Sequence, residues 1–270
     1  MPLRCEFTHA IQAGELYLKF QPVVDYTSGR IHSFEALLRW RHPIYGHLPA
    51  RDFAFALRDP SLQDTVSRLV LREALQTRSR WALELGQIPV SVNLSPGWIA
   101  SAAFLDHIKE LLTETPSLSQ GGLLIEIVET EILRPTPALL ANLHAANELG
   151  LEFFIDDFGT GYTSIGELRD LPLSGIKIDR HYIRHLMRRR EDTSVVLGML
   201  YVAQGFGLIT IAEGVENHAQ ADVLSDLGCQ LMQGNGLCPP LSEDELSSLP
   251  PIASEATTWR GTEAHAQSRP

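Results

Sequence analysis

Short apolar runs in this chain end, one after another, in a carboxylate or an amide, and that placement restricts its fold more than any other feature. Val90-Ser91-Val92 runs into Asn93, Leu123-Leu124-Ile125 into Glu126, and Phe153-Phe154-Ile155 into Asp156 and Asp157. Ile176-Lys177-Ile178 is followed by Asp179, Ile209-Thr210-Ile211-Ala212 by Glu213, and Gln230-Leu231-Met232 by Gln233. A short apolar run bounded by turn signals reads as a buried strand. A buried carboxylate is unfavourable unless its charge is compensated. One such residue could be a solvated loop residue. A series of them at one end of successive strands asks for cations, and a barrel of parallel strands would gather those ends.

The segments between the runs support that arrangement. At Gly86, Gly150, Gly207 and Gly228 a helical pattern ends in an apolar residue and a glycine, and an apolar strand with a polar end follows. Glycine just past a helix supplies the left-handed position that other residues adopt at a cost. Leu139, Leu140, Leu143, Ala146 and Leu149 share one helical face, and Asn217 reads as the N-cap of a helix holding Ala221, Val223, Leu224 and Leu227. Strands alternating with helices indicate β/α units and a largely parallel sheet. The expected strands are 17–24, 31–39, 88–92, 123–128, 152–155, 175–178, 208–212 and 229–232. They fit a closed α/β barrel in which the first pair, joined near Thr27-Ser28-Gly29, is a hairpin, so that one strand near the N-terminus breaks the all-parallel rule. Residues 15–247 are expected to form the barrel, residues 1–14 an N-terminal extension, and residues 248–270, rich in Pro, Ser, Ala and Thr, a disordered tail.

Composition narrows the class. A length of 270 residues suits one β/α barrel, which typically takes about 250. Against 33 acidic residues stand 22 Lys and Arg, a net charge of −11, which argues against binding a nucleic-acid polymer. An anionic substrate stays open, because bound divalent cations can reverse the local field. Cys5, Cys229 and Cys238 show neither a CxxC pairing nor zinc spacing, and with an N-terminus lacking an apolar signal core they indicate a cytoplasmic protein. The uncharged stretch 195–212 approaches membrane-spanning length. Gly205-Phe206-Gly207 divides it into a buried helix and a strand, so membrane insertion is not expected.

The strand-end residues fall into motifs that carry chemistry. Ser33-Phe34-Glu35-Ala36-Leu37-Leu38-Arg39-Trp40 sets a carboxylate inside an apolar strand with an arginine four residues on, which taken alone reads as a buried Glu–Arg pair. Asn93 taken alone reads as a cap of the helix after it. Glu126 and Glu129, three apart on a strand, face opposite sides, so one of them points into the barrel mouth; Glu131 reads as a solvated first-turn residue. Asp156-Asp157-Phe158-Gly159-Thr160-Gly161-Tyr162 is the sharpest local feature. Adjacent carboxylates repel unless cations hold them, and a shared aspartate can bridge two metals; the Gly-x-Gly is weak evidence for a phosphate loop. Lys177 and Asp179 face one way on their strand, so Lys177 is either a salt-bridge partner or the orienter of a nucleophilic water. Glu213, Glu216 and Gln233 complete the set. Each residue has a bland reading; together they would fill a barrel mouth with uncompensated acid, and cations resolve it. Oxygen donors, with none of the ten histidines at a strand end, suit Mg²⁺ or Mn²⁺ over zinc.

This combination resembles the EAL domain family, cyclic di-GMP phosphodiesterases built on a modified TIM (β/α)8 barrel. The resemblance spans roughly residues 16–241 and rests on Gln21-Pro22-Val23-Val24-Asp25, Glu35-Ala36-Leu37-Leu38-Arg39-Trp40, Val92-Asn93-Leu94-Ser95, Glu126-Ile127-Val128-Glu129, the Asp156-Asp157 motif, Lys177-Ile178-Asp179-Arg180, Ala212-Glu213-Gly214-Val215-Glu216 and Gln233-Gly234. It implies two cations per active site, Mg²⁺ or Mn²⁺: one held by Glu35, Asn93, Glu126 and Asp156, the second by Asp156 and Asp157. It implies that Lys177 orients the attacking water, with Glu35, Glu213 and Gln233 around it, and that Gln21 and Arg39 contact the dinucleotide. Glu129, Asp179 and Glu216 would support that set from behind, Glu129 by fixing the 156–164 loop, whose movement in the family is linked to dimerisation; a homodimer follows. The chain departs from the family at Asn235, where an aromatic is frequent, and at Pro239, where Arg or Lys is frequent, and both departures bear on substrate contacts. The expected activity is in-line hydrolysis of cyclic di-GMP to linear pGpG. The alternatives are a catalytically silent cyclic di-GMP receptor and a protein-interaction module.

Overall fold

The strands join into one sheet that closes on itself. The computed structural model describes residues 2–115, 122–129, 135–161, 165–186 and 190–246. Its strands are β1 (Leu16–Asp25), β2 (Arg30–His42), β3 (Gly46–Pro49), β4 (Val90–Asn93), β5 (Leu123–Val128), β6 (Glu152–Phe158), β7 (Gly175–Ile178), β8 (Ile209–Ala212) and β9 (Leu231–Met232). From β2 through β4 to β9 each neighbour is parallel to the last. β1 closes the ring between β9 and β2, antiparallel to both. The barrel expected from the sequence is the one that forms, and its antiparallel strand is β1.

Two differences from the sequence reading have local causes. β3 pairs with β2 outside the ring; its residues are exposed or half-buried, so no apolar run announces it. β6 runs three residues beyond Ile155, through both aspartates to Phe158, with a register shift against β7 between Ile155 and Phe158. Polar side chains ended the apolar pattern there, but the backbone ladder continues. β2 also runs past the expected Arg39 to His42, and β9 is shorter than the expected 229–232, whereas the turn and cap signals hold. Pro89 sits just before β4, Gly150 and Gly228 take φ of 90° and 92° after their helices, and Asn217 accepts from the Gln220 amide at 3.0 Å. The stretch 195–212 is divided between the helix Arg190–Phe206 and β8. Among the described residues no helix is long and apolar enough to cross a membrane.

Packing fixes where the site can lie. Outside the barrel, Trp81 on the helix Pro60–Leu85 stacks against Phe20 and Phe34 of β1 and β2, with ring centroids 5.1 and 4.8 Å away. The helix Pro2–Gln12 adds Phe7, fully buried between Trp40 and Phe53 at 5.4 and 5.3 Å. Inside the barrel, Val23, Leu124, Phe154 and Ile211 form a separate dry layer. Phe154 fits because Gly175 opposite has no side chain: a Cβ there would lie 2.7 Å from Phe154 Cδ1. With the barrel plugged below, inward-facing polar residues can meet only above this layer. Residues 248–270, the expected tail, and Glu131 lie outside the described residues.

Candidate active site

Alternation along the strands lifts one side chain from each above the apolar layer. Leu124 points into the dry layer, so Glu126, two residues on, points into the space above it; Phe154 and Asp156 are related in the same way. At the centre is Lys177, fully buried. Its Nζ lies 2.7 Å from Glu126 Oε2, 3.1 Å from Glu35 Oε2 and 3.5 Å from Asp156 Oδ1, and it also touches Glu213 Oε1. Amides close the ring: Asn93 Nδ2 donates to Glu35 Oε1 at 2.9 Å, and Gln233 Nε2 donates to Glu35 Oε2 at 2.7 Å. Asn93 is therefore not a helix cap. Ser95 takes that role, accepting from the Trp98 amide. Asn93 also borders a smaller, mostly apolar pocket of about 240 Å³ beside Leu37, Leu57 and Val66. Nor does Glu35 pair with Arg39, whose Nη1 donates to the Leu38 carbonyl at 2.9 Å.

One ammonium cannot balance four carboxylates, and the titration properties reflect this. Burial pushes the Glu126 carboxyl up to about 8, and the Glu35 charge adds to it. Burial likewise drives Glu213 well above the ordinary carboxylate range, with the Asp156 charge reinforcing it. Glu35 goes the other way. Burial opposes its charge, but Lys177 and hydrogen bonds from Gln233, Lys177 and Asn93 outweigh that and hold it below its usual value. Burial would also discharge Lys177, yet the surrounding carboxylates hold its pKa well above normal. The cluster keeps protons to relieve its charge, and a divalent cation would relieve it in the same way.

The β6 irregularity turns both aspartates toward one cleft. In a regular strand adjacent residues face opposite sides. Asp157, in the left-handed region at φ 55°, breaks that rule. Such a backbone costs on the order of 1–3 kcal/mol and is tolerated where function needs it. Ligand oxygens of Asp156, Asp157 and Glu213 lie within 4.8 Å of one another, a group able to hold a metal. Burial, followed by the charges of Asp156 and Asp179, raises Asp157 to about 7. Asp179 is itself tied down, accepting from the His181 amide at 2.9 Å. Behind the bulge Glu129 Oε2 accepts from the amides of Gly159 and Gly161 at 2.9 and 2.7 Å. A Cβ on Gly161 would lie 2.8 Å from the Glu129 carboxyl carbon. The Gly-x-Gly thus serves the approach of this carboxylate. Residues 162–164 lie outside the described set.

Above the floor a cleft of about 940 Å³ opens, bordered by Gln21, Arg39, Asp179, Glu216 and Gln233 as well as the acids. Gln21 is held in a relay: its Oε1 accepts from Gln233 at 3.3 Å, and its Nε2 donates to the Cys238 carbonyl at 2.9 Å and to Asn235 at 3.4 Å. Apart from Glu131, which lies outside the described residues, the structure brings the acids, amides and bases singled out in the sequence to this cleft, its floor or the backbone behind it. Sequence reasoning missed Arg51, His181, Arg184 and His185, which also line the cleft. They follow strands rather than end them, and the spacing of basic residues on the helix Arg180–His185 is the signal that could have found three of them.

A model of the EAL domain matches residues 4–240. The cyclic di-GMP phosphodiesterase RocR of Pseudomonas aeruginosa is 31% identical over 244 residues, covering 90% of this chain and 62% of RocR. The cyclic di-GMP phosphodiesterase PA2567 of the same bacterium is 32% identical over 230 residues, 85% of this chain and 39% of PA2567. The structure of the PaMucR phosphodiesterase in complex with c-di-GMP is 32% identical and superposes with a TM-score of 0.85, covering 91% of this chain and 100% of that one. The chain spans about a third of the length of several curated relatives, 34% and 29% in two of them.

Proposed function

The chain belongs to the EAL domain family, and from that membership and the floor of its cleft we propose that it hydrolyses cyclic di-GMP to linear pGpG. The observation that carries this reading is the fully buried Lys177 ammonium ringed by Glu35, Glu126, Asp156 and Glu213 at the base of an open cleft. A donor set of carboxylates and one amide, with its negative charge in excess, fits hard divalent cations, Mg²⁺ or Mn²⁺. Glu35, Asn93, Glu126 and Asp156 would hold one such ion, and Asp156 with Asp157 a second. When bound, these ions lower the pKa of water and neutralise charge that develops on phosphate.

The remaining work falls to the chain's own groups. A water attacks phosphorus in line with the departing ribose oxygen, one P–O bond forms as another breaks, and the ring opens. Lys177 keeps its proton among the carboxylates and orients that water, with Glu213 and Gln233 completing its surroundings. Gln21, held by the Gln233 relay, and Arg39 contact the dinucleotide, Arg39 through phosphate. Glu129 steadies the Gly159–Gly161 backbone, and Asp179 and Glu216 support the cleft from the strand ends. The dry layer below keeps bulk water out of the floor and strengthens every interaction above it. A cytoplasmic homodimer belongs to the same reading.

Incubating purified protein with cyclic di-GMP, with and without Mg²⁺ or Mn²⁺, and separating products by chromatography tests it. Linear pGpG is expected only with metal, and Glu35→Ala is expected to abolish turnover. Near-normal hydrolysis by that variant at saturating Mg²⁺ refutes the assignment; binding without product points to a silent receptor instead.

A further inference from the structure

The cleft joins an acidic floor to a basic rim. β7 brings Lys177 to the floor, and the helix Arg180–His185 starts directly after it, anchored by Asp179. Arg180, His181, Arg184 and His185 all border the cleft, as do Arg39 and Arg51. Arg180 with Arg184, and His181 with His185, are one helical turn apart, so each pair is presented together. The two histidine rings lie 5.7 Å apart. Arg180 comes up against Gly214, at φ +67°, where any Cβ would collide with the arginine's own Cβ. Arg180 and Arg184 are exposed and, among the described residues, neither takes part in an ion pair.

A chain with a net charge of −11 and a floor of carboxylates repels a dianion. On the proposed reading the substrate carries two phosphodiesters, and the floor can act on one of them. The other must lie elsewhere in the cleft, and guanidinium is the side chain that matches phosphate geometry best. We infer that Arg180 and Arg184 bind the phosphate that is not being cleaved, and that this rim selects substrates with two phosphates over those with one.

The test is the double variant Arg180→Gln/Arg184→Gln in the full chain, with its melting temperature as a control on folding. Loss of charge-assisted bonds should raise KM for cyclic di-GMP about tenfold or more while kcat stays within about twofold. Inhibition by linear pGpG should weaken to a similar extent. Inhibition by linear GpG, which has a single phosphate, should not change. An unchanged KM in the variant, or equal weakening for pGpG and GpG, overturns the inference while the hydrolase reading stands. If the wild-type protein neither binds nor hydrolyses cyclic di-GMP, both fall together.

Discussion

Lys177 sets a single buried ammonium against the carboxylates of Glu35, Glu126, Asp156 and Glu213, and each depends on it differently. Glu35 stays ionised because Lys177 and two amides favour its charged form, whereas Glu126 and Glu213 lean toward their protons. Removing one partner of a buried ion pair costs about 3–5 kcal/mol, because charge is left without compensation. Lys177→Met is therefore expected to lower stability by about that amount in metal-free buffer, measured by urea unfolding. Added Mn²⁺ should recover part of the loss. A variant as stable as the wild type would show that protonation alone satisfies the carboxylates. The sequence marked Lys177 as inward and strand-borne. It left open whether Lys177 was a salt-bridge partner or the orienter of a nucleophilic water.

At the scale of the element, β6 carries both the support and the chemistry. Phe154 fills the barrel beside Gly175, Asp156 stands two residues above it, and the shift at Asp157 turns a second carboxylate to the same cleft. Truncating Phe154 to Ala would open a cavity directly under the acid cluster. Comparable core truncations cost about 3–5 kcal/mol, and a denaturant midpoint lowered by that loss divided by the slope, with the slope unchanged, is the expected result. A loss below about 1 kcal/mol would mean that the layer collapses around the gap. β6 also shows where reading by pattern stops. Hydrophobicity ends at Ile155, but backbone hydrogen bonds set strand length, and an irregularity that depends on pairing with β7 leaves no mark of its own in composition.

For the whole molecule, the excess of acid in one place predicts linkage between metal and stability. An ion that binds the folded chain and not the unfolded one stabilises by about 2.7 kcal/mol at about 100 times its Kd. Mg²⁺ or Mn²⁺ should therefore raise the melting temperature relative to a chelator control, and Asp156→Asn should remove most of that rise. A melting temperature indifferent to both ions would remove the basis for a metal at this floor.

What the sequence determined by itself was the order of β/α units and the polarity of their ends. Run length, glycines after helices and strand-end acids act over a few residues and need no partner to be recognised. Glu131 and the tail beyond residue 247 stay as sequence expectations. Only the tertiary structure decided which acids surround the Lys177 ammonium, because Glu35 and Lys177 are 142 residues apart and meet only once β1 has closed the ring. It also gave Arg39 the Leu38 carbonyl in place of an ion pair with Glu35, relieved Asn93 of capping, gave the Gly-x-Gly to Glu129, and drew a basic helix to the rim. Each of these outcomes is a choice among partners brought near by closure of the barrel, and closure is a property of the whole chain.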